Sequence, residues 1–245
     1  MRDIIFCSGI MRSASTWSFN VCRMIAEHSI KERNGNVIVG YADGDNLEKM
    51  LAEKAFKEEG FLVIKSHFFK EGAIAMIADK KAKNVCTLRD PLDCIASRKQ
   101  FVDEPYFNSI NNIKACLSNV EKFKKIGNTL FIQYRDIVRN SRQEIKRIID
   151  YLKYDVPESL IDEIEEKTSM DAVKQIISEI PFKSQFDLIT NEGHRTDKLT
   201  QYHENHIQDG KNKKWETVLT PKEQKVARKK LKKFNGKESS YCGFA

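Results

Sequence analysis

Asp3-Ile4-Ile5-Phe6-Cys7-Ser8-Gly9-Ile10-Met11-Arg12-Ser13-Ala14-Ser15-Thr16-Trp17 begins as an apolar run, bends through small polar residues and ends in a helical pattern. Asp3–Ser8 reads as a buried strand. Ser15–His28 reads as a helix with Trp17, Val21, Met24 and Ile25 on one side. A strand that feeds a helix through such a bend places backbone N–H groups and the positive end of a helix dipole where an anion can sit. The phosphate loop of nucleotide triphosphatases is written GxxxxGK[ST]. Here Gly9 and Thr16 hold its first and last places, but Ala14 replaces the second glycine and Ser15 the lysine. That lysine reaches the β and γ phosphates, so triphosphate hydrolysis is poorly supported. What remains is a cradle for one phosphate-like group, made of the Ser13, Ser15 and Thr16 hydroxyls, the helix start and the fixed charge of Arg12. From these residues alone, the run also reads as a polar helix start with serine and threonine as caps.

Outward from this loop, short apolar runs alternate with helical patterns. Strands are expected at Asn36–Tyr41, Phe61–Ser66, Asn84–Arg89 and Thr129–Tyr134. Helices are expected at Asn46–Glu59, Gly72–Lys80, Leu92–Phe101, Phe107–Ile126 and Ser141–Leu152. Such alternation predicts an α/β fold of three layers, a central, mostly parallel sheet flanked by helices. Ligands of such sheets sit beyond the carboxyl ends of the strands, which directs attention to the segments after Ser8, Ser66, Arg89 and Tyr134. Beyond Pro157 the pattern is helical or irregular. Residues 190–213 are polar without a clear period and are expected to form a long loop. At 245 residues, one domain across 1–245 is the simplest expectation.

A net charge of +7 suits an anionic ligand. The charge is concentrated at 221–234, where Lys222, Lys225, Arg228, Lys229, Lys230, Lys232 and Lys233 face only Glu223. This segment is read as a basic C-terminal helix with a solvated face and an apolar stripe of Val226, Ala227, Leu231 and Phe234, rather than as a nucleic-acid site. The six cysteines form no CxxC pair and no zinc-finger spacing, so a reducing cytoplasm is the expected compartment. No run is apolar and long enough for a secretory signal or a membrane span. No carboxylate cluster suggests a magnesium site, so no metal is expected.

Two further runs carry chemistry. Val63-Ile64-Lys65-Ser66-His67 sends a lysine and a histidine to the same side of a strand end by the period of two. A histidine there can take a proton near neutral pH, and a lysine can neutralise charge on a leaving oxygen. In Val85-Cys86-Thr87-Leu88-Arg89-Asp90-Pro91-Leu92-Asp93-Cys94-Ile95-Ala96-Ser97, Arg89 ends a strand and can fork onto a phosphate, Pro91 opens a helix, and Ser97 lies two turns along it.

Together these runs resemble the sulfotransferase family that uses 3′-phosphoadenosine 5′-phosphosulfate (PAPS) as donor. Arg12-Ser13-Ala14-Ser15-Thr16-Trp17 is similar to its phosphosulfate loop, with Met11 for proline and Ala14 for glycine as departures. Lys65-Ser66-His67 resembles its K-[TS]-H run, and Arg89 to Ser97 its 3′-phosphate motif, R-x-P-x-D-x-x-x-S, with Asp93 as a structural acceptor. Tyr134 resembles the tyrosine of its Y-E-D strand end, near the adenine. Thr168-Ser169-Met170 resembles T-S-F, with Met170 for the base-packing phenylalanine. His206 to Trp215 resembles R-K-G-x-x-G-x-W, with Gly210 and Trp215 in register and Gln208 and Asp209 in place of the basic pair. Lys211, Lys213 and Lys214 are the candidates to compensate.

The resemblance implies a P-loop-like fold, His67 as general base, and Lys65 and Arg12 as stabilisers of the departing phosphate. It implies a donor site of Arg12, Ser13, Ala14, Ser15, Thr16, Trp17, Arg89, Ser97, Tyr134, Thr168, Met170 and Gly210. PAPS would be the donor and 3′-phosphoadenosine 5′-phosphate (PAP) the product. The sulfuryl group would pass to a hydroxyl or amine of a small-molecule or glycan acceptor, framed by residues 41–59, 101–116 and 190–213. Of the remaining histidines, His194, His203 and His206 lie in the polar loop and could line an acceptor site, but read first as solvated loop residues. Two rival readings are a phosphoryl-transfer kinase with a degenerate loop and a non-catalytic nucleotide- or polyanion-binding module. Acceptor identity and oligomeric state are not written in these motifs.

Overall fold

The computed structural model describes residues 3–32, 35–54, 59–101, 105–191, 193–204 and 213–234. Its centre is a five-stranded sheet of β1 (Asp3–Gly9), β2 (Asn36–Tyr41), β3 (Gly60–Lys65), β4 (Ala82–Leu88) and β5 (Thr129–Gln133). The spatial order is β2-β3-β1-β4-β5, and every neighbouring pair is parallel. β1 is central, and the chain crosses from one side of it to the other between β3 and β4. The loops after these strands therefore converge at the carboxyl edge of the sheet.

The strands are near-continuous apolar runs because both of their faces are covered. Ile4 and Phe6 of β1, with Leu62 and Ile64 of β3, enter one core. Ile5 and Cys7, with Phe61 and Val63, enter the other. On the first face pack α2 (Gly44–Lys54), α3 (Glu71–Ala78), α4 (Pro91–Phe101), α5 (Tyr106–Ile126) and, later in the chain, α11 (Pro221–Leu231). On the second lie α1 (Ser15–Ser29), α7 (Ser141–Leu152) and α8 (Glu158–Lys167). Phe6, Phe19, Phe61 and Phe123 are fully buried, each contributing roughly 1.5–3 kcal/mol. Phe69 bridges Phe6 and Phe123 in edge-to-face contacts of 5.4 and 5.1 Å.

Local chemistry sets the helix ends. The Asn140 side chain accepts from the Gln143 amide at the start of α7, and Lys153 closes that helix at φ 61. Thr220 and Glu223 form a reciprocal capping box around Pro221, the first residue of α11. α11 buries Ala227 and Leu231, and Phe234 in the following turn is buried too, while Lys222, Lys225, Lys229 and Lys230 point outward.

Two expectations shift. β5 ends at Gln133, and Tyr134 opens a short helix, α6 (Tyr134–Arg139). Part of the polar stretch 190–213 is ordered as an antiparallel hairpin of β6 (Leu188–Asn191) and β7 (His194–Asp197). Its turn contains Gly193 at φ 79, a left-handed conformation that suits glycine. The remaining helices are α9 (Met170–Glu179) and α10 (Trp215–Val218). The five described cysteines are buried free thiols. Among the described residues no helix is long and apolar enough to cross a membrane.

Candidate active site

The β1–α1 bend is held tightly against β4. A Cβ on Gly9, at φ 150, would lie 2.4 Å from the Thr87 hydroxyl oxygen and 2.5 Å from its carbonyl oxygen. The Ile10 amide donates to the Thr87 carbonyl at 3.2 Å. Ser13 completes this joint. Its hydroxyl bonds the Ile10 carbonyl (2.5 Å) and reaches both the Thr87 carbonyl (2.9 Å) and hydroxyl (2.8 Å). Thus the Ser13 hydroxyl staples the loop to the sheet and does not line the cavity, unlike the role expected for it. Arg12 (φ 69) and Ala14 (φ 73) are both left-handed, a conformation costing roughly 1–2 kcal/mol for a residue with a Cβ. Ala14 is the α1 N-cap and supplies no side-chain cap, so the N–H groups of the first turn open onto the space beyond the sheet.

β3 delivers the next groups. Its register pairs Lys65 with Cys7 of β1, so the Lys65–His67 turn stands beside the β1–α1 bend. Lys65 is 9% exposed and His67 8%. The His67 Nδ1 lies 3.1 Å from the Gly9 carbonyl oxygen. A carbonyl oxygen only accepts, so Nδ1 carries the proton in the neutral ring and Nε2 holds the lone pair. Nε2 is 3.5 Å from the Ser15 hydroxyl, at the first residue of α1. Lys65 Nζ lies 5.5 Å from the centre of the Tyr41 ring.

β4 delivers Arg89, 7% exposed. Its Nη1 donates to the Arg12 carbonyl at 3.2 Å, and its guanidinium lies 4.1 Å from the Tyr134 ring centre. Tyr134, expected beside an adenine, lines the cavity and also forms a platform under Arg89. The Arg12 backbone belongs to the β1–α1 bend, but its side chain reaches across to α4. There Nε donates to the Ser97 hydroxyl at 3.2 Å, and the guanidinium stacks 4.5 Å from the Phe101 ring centre. Asp90 accepts from the Leu92 amide at 2.7 Å, and burial pushes its carboxyl up to about 6. Asp93 accepts from the Lys213 and Trp215 amides at 2.9 and 3.3 Å, tying α4 to the segment before α10.

These corners enclose one cavity of about 420 Å³. From the β1–α1 bend it takes Arg12, Ala14, Ser15, Thr16 and Trp17. From the other strand ends it takes Lys65, His67, Arg89 and Tyr134, from α4 and α9 Ser97 and Met170, and from the turn between α8 and α9 Thr168. Gly210 lies outside the described residues, as do His206, Gln208, Asp209 and Lys211. Of the lysines near Trp215, Lys214 faces the cavity, while Lys213 is tied through its amide to Asp93.

Sequence reading gave no individual role to several wall residues. Tyr41 and Arg98 carry no motif. His203, read as a solvated loop residue, is buried in the wall, with its ring 4.6 Å from Phe101 and 5.6 Å from His194. Burial, then the charges of Arg12 and Lys65, hold its imidazole down to about 2, so it is neutral. The signal that ordered it was the hairpin: His203 bridges to Thr196 of β7. Among the described residues no Asp or Glu lines this cavity, whereas Arg12, Lys65, Arg89, Arg98 and Lys214 do.

A parallel α/β sheet with a cationic cavity at its carboxyl edge defines a binder of a multiply charged anion, built on the P-loop-like plan. The chain belongs to the sulfotransferase domain family, whose model matches residues 5–236. Its fold is similar to mouse sulfotransferase SULT7A1 complexed with PAP, with a TM-score of 0.66 and 16% identity, covering 96% of this chain and 85% of that one. It is also similar to retinol dehydratase in complex with androsterone and PAP (TM-score 0.62, 16% identity, 96% and 81% covered). A third likeness is retinol dehydratase with retinol and PAP (TM-score 0.63, 16% identity, 97% and 83% covered). No curated protein matches the chain.

Proposed function

We propose that this sulfotransferase takes the sulfuryl group from PAPS and delivers it to a hydroxyl or amine of an acceptor, with His67 as general base. The observation that carries this reading is the placement of the His67 ring: Nδ1 lies 3.1 Å from the Gly9 carbonyl oxygen, which only accepts, so Nε2 is the nitrogen turned to the cavity beside the first turn of α1. The solved neighbours hold PAP, and the match over residues 5–236 supports treating the chain as one such domain.

In this reading the 5′-phosphosulfate lies against the α1 first turn, with the Ser15 and Thr16 hydroxyls and Lys65 around it. Arg89 and Ser97 meet the 3′-phosphate, helped by Lys214, and Arg12 joins them instead of the departing phosphate expected for it, because its guanidinium is turned onto Ser97 and Phe101. Trp17, Thr168 and Met170 flank the nucleoside. The acceptor oxygen or nitrogen forms a bond to sulfur as its proton passes to His67 Nε2. The bond from sulfur to the 5′-phosphate oxygen breaks, and the electron pair leaves with PAP. Lys65 and the α1 N–H groups stabilise the growing phosphate charge. As in phosphoryl transfer, positioning and electrostatics supply most of the acceleration.

The test feeds PAPS to the protein with a panel of alcohols, phenols, sugars and amines and follows sulfated product by mass. Transfer to at least one class, with stoichiometric release of PAP, is expected. Tight PAP binding by calorimetry without any transfer would instead make the chain a binding module. Magnesium-dependent ATP consumption would make it a kinase.

A further inference from the structure

His67 is gripped at more points than its ring. Its amide donates to Asp43 Oδ1 at 2.6 Å, and its carbonyl accepts from the Asn119 side-chain amide at 3.3 Å. The same Asp43 oxygen also takes the Phe68 amide at 2.9 Å and the Ser66 hydroxyl at 2.8 Å, while Oδ2 takes the Tyr41 hydroxyl. Asp43 sits just after β2, and Asn119 is a buried residue in the middle of α5. Neither lines the cavity.

The geometry has a consequence for the ring. Three consecutive donors, at residues 66, 67 and 68, converge on one carboxylate oxygen, so the chain leaving β3 must turn sharply around it. That turn aims the His67 side chain back at the Gly9 carbonyl. Asn119 blocks rotation of the next peptide from the opposite side. The Tyr41 ring, tethered to the same carboxylate, stands 6.3 Å from the His67 ring. A carboxylate acting on backbone amides through charge-assisted bonds holds such a turn more firmly than a neutral side chain does.

We propose that Asp43 and Asn119 are positioning residues that clamp the His67 peptide from two sides and thereby fix its imidazole as the Nδ1–H tautomer. This rests on the reading of His67 as the base, because only that tautomer leaves Nε2 able to take a proton. It assigns a part in the reaction to two side chains that do not line the cavity, a role of the kind that supports a site from behind its reacting groups.

The test is ¹⁵N NMR of the imidazoles of PAP-bound full-length protein, with His67 assigned by its loss in His67→Gln. The wild type is expected to show one neutral tautomer, protonated at Nδ1. Asp43→Ala and Asn119→Ala are expected to turn it into a mixture of tautomers, with PAP affinity unchanged, and Asp43→Asn, which keeps an acceptor oxygen, to restore much of the single form. An unchanged Nδ1–H tautomer in both alanine variants overturns the clamp while leaving the base assignment intact. Should Asp43→Ala fail to fold, an unchanged tautomer in Asn119→Ala alone does the same. A wild-type ring protonated at Nε2 would instead remove the base assignment.

Discussion

The two ends of the cavity are built differently. Around His67, each polar group has a fixed partner: ring to Gly9, amide to Asp43, carbonyl to Asn119, and the neighbouring loop stapled by Ser13 to Thr87. Around Arg89, the charges are supported by aromatic faces and open toward the cavity, Arg89 on Tyr134 and Arg12 on Phe101, with Met170 at the rim 45% exposed. Moving a proton and an oxygen in line needs placement to a fraction of an ångström, since a 1 Å error can cost about 100-fold. Holding a phosphate needs charge and a broad welcome. The contrast is sharpest if one end can be disabled without the other. His67→Ala is expected to lower the transfer rate by about 10²–10⁴-fold while PAP affinity stays unchanged, measured by product formation and calorimetry on the same preparation. Equal loss of both would mean the ends are not separable.

The reverse experiment acts on the open end. Arg89→Ala removes charge-assisted bonds worth roughly 1.5–3 kcal/mol, so PAP binding is expected to weaken by about 10- to 100-fold. At saturating donor the rate of transfer should fall far less. A variant that binds PAP as before would move the 3′-phosphate away from Arg89, and the cavity would have to be filled in another orientation.

The same division explains what was readable in advance. The sheet, its helices and the cluster of strand ends follow from apolar runs and spacing, because a parallel strand covered on both faces must look apolar throughout. Lys65, His67 and Arg89 stand out because charged residues at the ends of such runs have no packing reason to be there. Asp43 and Asn119 left no trace, since a carboxylate or amide that bonds backbone groups far along the chain looks like any other surface polar residue. His203 was lost for a related reason. Its burial comes from the β6–β7 hairpin, whose four-residue strands are too short to show a period. The direction of the Arg12 side chain was equally hidden, because a left-handed φ at an arginine is invisible in the letters.

That backbone conformation offers a smaller, cleaner perturbation of the tight end. Ala14 occupies a left-handed position where a Cβ is strained. Ala14→Gly removes the strain but adds freedom to the unfolded chain, so a net gain of about 1 kcal/mol is expected, read as a higher unfolding midpoint. Destabilisation instead would show that the loop relaxes around Ala14 and that the strain is absorbed elsewhere in the bend.

The smallest expected effect belongs to the open rim. Met170 is the first residue of α9, capped by Ser169, whose hydroxyl accepts from the Ala172 amide at 3.2 Å. Its side chain is half-exposed, so exchanging it perturbs no core packing and the unfolding midpoint should not move. If the adenine lies against it, Met170→Phe replaces a thioether contact with a ring face. Aromatic pairs add about 0.5–1.5 kcal/mol beyond burial, which corresponds to roughly two- to tenfold tighter PAP binding. The transfer rate at saturating donor should be unaltered, because the His67 end is held by bonds that Met170 does not touch. Unchanged affinity would place the base elsewhere in the cavity, with His203 and Phe101 forming the next aromatic wall it could meet.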